Sequence, residues 1–169
     1  VAHYLLIGKQ TGKTPTEILQ GLLHSVYGFD IQPYSVVLTR LNLLANSADL
    51  FQANARTLED KEVLFGNIML ADPLPEGKKL WESGIGFDVI IANPPYSRVV
   101  NTHVPFIKDY EDVVYGHANL YQLFLWWAIK AARPGGSISF LIPQSFRSGQ
   151  YFEKLRAKID ETCLVNSIS

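Results

Sequence analysis

The sequence predicts an α/β fold, on three observations. Strand-length apolar runs recur over residues 25–31, 63–70, 87–92 and 137–143. Segments with apolar residues at helical spacing lie among them, chiefly residues 33–45 and 119–133. Two of the runs close on a polar residue just ahead of proline, Asp30 before Gln32-Pro33 and Asn93 before Pro94-Pro95. In open α/β sheets ligands bind beyond the carboxyl ends of strands, so these two exits are the first candidate sites.

The elements follow in order. Residues 1–11 are expected to be helical. Gly8 and Gly12-Lys13-Thr14 imitate a phosphate loop, but three residues separate the glycines where a Walker loop needs four. Thr14-Pro15-Thr16-Glu17 reads instead as a helix start, with Thr14 as N-cap, Pro15 in the first turn and Glu17 closing a capping box. Ile18, Leu19, Leu22 and Leu23 then form a core-facing stripe. Residues 25–31 form a strand ending near Asp30, and residues 33–45 a helix with Val36, Val37, Arg40, Leu41 and Leu44 on its period. Residues 46–60 read as a polar connector, residues 63–70 as a third strand whose exit is Gly66-Asn67, and residues 71–86 as a surface loop. Residues 97–118 lack a period and follow the Asn93 loop directly, which suits a segment that folds over a substrate, with Arg98 and Lys108 candidates for phosphate. Residues 119–133 make a helix apolar nearly all round, hence buried. Arg133-Pro134-Gly135-Gly136 ends it. A strand at 137–143, a helix at 150–159 and a last strand at 164–168 complete the chain.

Bulk properties exclude several classes. At 169 residues the chain fits one domain, and 47% apolar content supports a substantial core. A formal net charge of −1 offers no electrostatic case for nucleic-acid binding by this chain alone. The single cysteine, Cys163, excludes a disulfide framework and agrees with a reducing, cytoplasmic setting. No apolar run approaches the ~18–20 residues of a membrane span. His3, His24, His103 and His117 have no metal-ligand spacing, so no metal is expected. The chain opens on Val1 without a signal-peptide pattern and reads as an internal piece of a longer protein.

Phe87-Asp88-Val89-Ile90-Ile91-Ala92-Asn93-Pro94-Pro95-Tyr96 is the most informative stretch. Pro94 and Pro95 cannot donate to a ladder, so the strand must stop there. A residue before proline is driven out of the α region, which holds Asn93 extended. An amide and an aromatic ring are thus set on a stiff loop at a strand exit. This stretch resembles the catalytic motif of amino methyltransferases that use S-adenosylmethionine, above all the adenine-N6 DNA methyltransferases. Asn-Leu-Tyr at 119–121, Arg-Pro-Gly-Gly at 133–136 and Phe-Leu-Ile-Pro-Gln-Ser-Phe at 140–146 resemble the segment that follows this motif in the larger restriction-modification enzymes.

The resemblance implies a Rossmann-like methyltransferase sheet, mostly parallel, with helices on both faces, forming one partial catalytic domain over residues 1–169. It implies transfer of a methyl group from S-adenosylmethionine to the N6 amine of adenine, flipped out of double-stranded DNA. Asn93, Pro94, Pro95 and Tyr96 are its catalytic residues: the Asn93 side-chain oxygen and the Pro94 carbonyl accept from the amine, and Tyr96 stacks on the base. For the cofactor, Asp30 with Ile31 beside it would take the ribose, and Ile68 would pack on the adenine. Asn67 stands where the family usually has aspartate for the adenine amine, and Asp72 competes for that contact. A carboxylate at a helix start such as Asp30 is also favoured by the helix dipole alone. The family's glycine-rich cofactor turn has no counterpart before Asp30, and its absence would leave a gap between the strands ending at Asp30 and Ala92. No target-recognition domain follows, so a specificity or nuclease domain is expected outside this chain, and the isolated chain is expected to be inactive. Two other readings stay open: a protein-glutamine methyltransferase, which uses the same four residues on an amide nitrogen, and a non-catalytic recognition or assembly module.

Overall fold

The computed structural model describes residues 8, 10–54, 65–82, 84, 86–99, 105–114 and 116–167. The chain divides into two compact units, Val1–Asp72 and Pro73–Ser169. Each contains one parallel pair of strands, which bears out the α/β expectation.

In the first unit the helix expected over residues 1–11 lies outside the described residues apart from Gly8 and Gln10, both helical, and Thr11, which lies in a turn. Helix α1 (Pro15–Ser25) starts as its sequence dictates. The Thr14 hydroxyl accepts from the Glu17 N–H at 3.3 Å, and the Glu17 carboxylate accepts from the Thr14 N–H at 2.8 Å. The Thr14 backbone and hydroxyl bonds hold the Glu17 carboxyl below its ordinary range. A lowered carboxyl pKa stabilises the folded form above the unfolded value, so this cap weakens as pH falls through the folded pKa. Ser25 still belongs to α1, so strand β1 is only Gly28–Asp30, shorter than the run 25–31.

Helix α2 (Pro33–Asn46) opens on a proline in its first turn, as expected. The stretch read as a polar connector holds helix α3 (Ala48–Ala53). Leu50 packs with Ile18 and Leu19, and the Phe51 ring meets Phe65 edge-on at 6.1 Å. Strand β2 is Ile68–Leu70, not 63–70; Phe65–Asn67 form the turn before it, and residues 63 and 64 lie outside the described residues. Phe65 adopts φ 57°, a left-handed conformation that breaks the strand and is uncommon for a bulky residue. Burial of its ring with Leu22, Val36 and Ile68 opposes that strain.

In the second unit the expected surface loop contains helix α4 (Pro73–Glu82). Strand β3 (Phe87–Ala92) matches its sequence run and pairs in parallel with β4 (Ala132–Phe140). Strand β4 begins directly after helix α5 (Leu120–Ala131), five residues earlier than the sequence suggests. The ladder runs Phe87↔Ala132 and then Val89↔Ser137, so residues 133–136 bulge out between two successive partners. Gly135 takes φ +81° there, and a Cβ on Gly136 would lie 2.8 Å from the Phe87 carbonyl oxygen. Helix α5 is buried on nearly all sides, including Tyr121, Gln122, Leu123, Trp126 and Trp127. A short 3-10 turn at Gln150–Phe152 leads into helix α6 (Glu153–Thr162). The strand expected at 164–168 does not form among the described residues: 163–167 carry no strand, and Leu164 is 88% exposed. Among the described residues, no helix is long and apolar enough to cross a membrane.

Candidate active site

The site in the second unit is built at the exit of β3. After Ala92 the ladder continues one step, the Leu141 N–H donating to the Ala92 carbonyl at 3.1 Å. Pro94 is buried and anchors the turn, while Asn93, Pro95 and Tyr96 are exposed. The loop then doubles back. The Leu120 N–H donates to the Ser97 carbonyl and the Val99 N–H to the Ala118 carbonyl, each at 2.9 Å, pinning both sides of the loop to the start of α5. This brings the Tyr96 hydroxyl to 3.2 Å from Asn93 Oδ1 and 3.4 Å from the Leu141 carbonyl oxygen. A phenol carries one proton. It can therefore donate to only one of these acceptors at a time, and the two are interchangeable partners. The Tyr96 ring stands perpendicular to Tyr121 at 6.2 Å.

The segment after this loop is less free than its sequence suggests. Residues Pro105–Tyr110 form a 3-10 helix, and Tyr110 and Val113 are fully buried. The Tyr110 hydroxyl donates to the Leu74 carbonyl at 3.0 Å, and Gln122 Nε2 donates to the Val113 carbonyl at 2.5 Å. Lys108 is exposed on that 3-10 helix, and Arg98 pairs backbone to backbone with Asn119.

The cofactor candidates fall in the first unit. Asp30 ends β1, and its Oδ1 accepts from the Gln32 N–H at 2.7 Å, fixing the turn into α2. A carboxylate accepts at two oxygens, so this bond leaves capacity for further donors. Ile31 beside it is exposed. Asp30 pairs with Leu70, and the Ala71 N–H donates to the Asp30 carbonyl at 3.0 Å, so Asp72 follows β2 on the same edge as Asp30. Asn67 does not share that edge. It precedes β2, its carbonyl accepts from the Gly28 N–H at 3.1 Å, and its Nδ2 donates to the Leu23 carbonyl at 3.0 Å. The expected strand exit at Gly66-Asn67 is thus corrected to a strand entry, because the turn at Phe65 delays β2. Ile68 packs into the core with Leu22, Val36 and Phe65, and its carbonyl accepts from Arg40 Nε and Nη2 at 3.0 and 2.6 Å. Sequence reasoning assigned nothing to the Leu141 carbonyl, since any residue presents one. It also left Tyr121 without a role, although Asn-Leu-Tyr was visible.

Parallel strand pairs with polar residues at their exits define an α/β protein with two candidate ligand edges. Residues 24–169 match the family of Eco57I restriction-modification methylases, and the chain belongs to that family. It is similar to the Type II methyltransferase M.PaeR7I of Pseudomonas aeruginosa, 30% identical over 113 residues that cover 64% of this chain and 18% of that protein. It is also similar to the Type II methyltransferase M.TthHB8I of Thermus thermophilus, 32% identical over 88 residues covering 46% of this chain and 21% of that protein. The Type II methyltransferase M.PstI of Providencia stuartii is 30% identical over 87 residues, covering 48% of this chain and 16% of that protein. The matched stretch spans from 16% to 21% of the length of these three relatives.

Proposed function

We propose that the protein carrying this chain transfers a methyl group from S-adenosylmethionine to the N6 amine of adenine in double-stranded DNA, as the methylating part of a restriction-modification system. The observation that carries this is the exposed Asn93 amide at the exit of β3, with an aromatic hydroxyl 3.2 Å from its oxygen. An exocyclic amine is a poor nucleophile because its lone pair is delocalised into the ring. Acceptors on both of its hydrogens, Asn93 Oδ1 and the Pro94 carbonyl, localise that pair on nitrogen. The Tyr96 hydroxyl already marks Asn93 Oδ1 as an acceptor position. It can yield that oxygen to an amine and turn to the Leu141 carbonyl, 3.4 Å away, without losing its own hydrogen bond. The flipped base would stack on Tyr96, worth roughly 1–3 kcal/mol, which offsets much of the few kcal/mol that flipping costs.

The acceptor set beside β1 and β2 suits the nucleoside half of the cofactor. Ribose hydroxyls and an adenine amine are hydrogen-bond donors, carboxylates accept, and Asp30 ends β1 on the edge where Asp72 follows β2. Asp30 would take the ribose with Ile31 against it, and Asp72 rather than Asn67 would take the adenine amine. S-adenosylmethionine, when bound, supplies an electrophilic methyl group on a sulfonium. Loss of a hydrogen bond to a charged group is worth about 1.5–3 kcal/mol, so Asp72→Ala weakens cofactor binding roughly 10- to 150-fold. Asn67→Ala leaves that affinity nearly unchanged. Calorimetric titration of the full-length protein with S-adenosylmethionine checks this, and the reverse ranking returns the contact to Asn67.

The function is tested by offering the full-length protein radiolabelled S-adenosylmethionine with either duplex DNA or a peptide-chain release factor. Label is expected in the DNA alone. Label in the release factor would replace this reading with protein-glutamine methylation, and label in neither would favour a non-catalytic module.

A further inference from the structure

We propose that Tyr121 is a positioning residue for this transfer, holding the Tyr96 ring at the angle at which a base can stack on it; the inference rests on the reading of Asn93–Tyr96 as the catalytic loop. Tyr96 is 49% exposed on a loop whose prolines stiffen the backbone but leave its side-chain torsions free. Two contacts remain to orient it. Its hydroxyl end meets Asn93 Oδ1 and the Leu141 carbonyl. Its ring meets Tyr121 at 87° and 6.2 Å. Perpendicular rings are a favoured aromatic geometry, and the contact restricts rotation about the Tyr96 torsions.

Tyr121 is itself built in. It sits at the first turn of the buried helix α5 and is only 2% exposed. Its ring lies 5.3 Å from the buried Phe152, which lies 5.7 Å from Phe146. Burial pushes the pKa of its hydroxyl up, with the nearby Ser145 side chain opposing that shift. A row of four rings, Tyr96, Tyr121, Phe152 and Phe146, thus ties an exposed ring to a fixed interior. Nothing in this row touches a reacting atom except Tyr96, so Tyr121 acts through Tyr96.

The test is a mutant cycle in the full-length protein, following steady-state methylation of duplex DNA. Tyr121→Leu is expected to lower kcat about tenfold, as for a lost aromatic pair, with the KM for S-adenosylmethionine within about twofold. Tyr121→Phe keeps the ring and gives up only the hydroxyl, so it stays within about threefold of the parent. In a Tyr96→Leu background, Tyr121→Leu costs nothing further, because the residue it positions is gone. If Tyr121→Leu does not fold, Tyr121→Met, flexible enough to fill the space, replaces it in the same cycle. Additive losses, or a Tyr121→Phe defect as large as that of Tyr121→Leu, overturn the proposal. Asn93→Ala run alongside separates the two levels. Methylation that survives Asn93→Ala sinks the catalytic-loop reading, whereas an inactive Asn93→Ala with an unimpaired Tyr121→Leu sinks only the positioning role.

Discussion

Replacing Asn93 with alanine is expected to cut methyl transfer by about 10²–10³-fold in kcat, the usual loss when one preorganised hydrogen-bonding group aimed at a reacting centre is removed. The fold should not register the change. Asn93 is exposed, its side chain supports no core contact, and the backbone there is held by Pro94 and by the Leu141-to-Ala92 bond. Exposed substitutions of this kind ordinarily move stability by no more than about 0.5 kcal/mol. The Tyr96 hydroxyl would keep the Leu141 carbonyl as its acceptor. Asn93→Asp retains an acceptor oxygen at the same position and should recover part of the rate. Single-turnover methylation by the full-length protein, with a thermal melt of each variant, measures both effects. An unstable Asn93→Ala would mean that the side chain is structural.

The second large effect is on stability. Leu123→Ala should destabilise the second unit by about 2–5 kcal/mol, the range for truncating a buried leucine. Leu123 is fully buried on α5, and that helix has buried residues on nearly every side, so no free face can move in to close the cavity. Such a loss is a large part of the roughly 5–15 kcal/mol that holds a domain folded. Trp126 and Trp127 lie on the same helix and report its unfolding by fluorescence. The urea midpoint of that transition should fall markedly, whereas an unchanged midpoint would mean that α5 is not central to the unit.

What could be read from the chain beforehand follows from how local each signal is. The exit at Asn93 was legible because two prolines settle the backbone whatever surrounds it. The start of α1 was legible because Thr14 and Glu17 satisfy each other's backbone groups. Helix α5 was legible because an all-round apolar surface leaves only burial. Other elements depended on less local terms. Helix α3 is six residues long, too short to display a period. Helix α4 was read as a loop from Pro73, Pro75 and Gly77, although a proline in a first turn removes only an N–H that has no helical partner.

The strand exit at Asp30 was legible, whereas the exit expected at Gly66-Asn67 is a strand entry. The run 63–70 is apolar without alternation, so its register could not be taken from pattern, and the left-handed Phe65 decided where β2 begins. Strand β3 shows the same limit. Its run carries apolar residues on both faces, yet Val89 and Ile91 are 60% and 78% exposed while Ile90 is buried. Period tells which residues share a face, not whether that face is covered. Long-range contacts carried no sequence signal at all: the Tyr96 hydroxyl meets Leu141, 45 residues on, through a backbone carbonyl.

The proposed role of Asn93 is to present its amide oxygen to the N6 amine of adenine. The most direct measurement digests duplex DNA methylated by the full-length protein to nucleosides and identifies the product by mass and chromatographic position, for the parent and for Asn93→Ala. N6-methyldeoxyadenosine is expected from the parent, with a loss of at least about a hundredfold for Asn93→Ala. A methylated cytosine as the product, or N6-methyldeoxyadenosine formed equally well by Asn93→Ala, would contradict it.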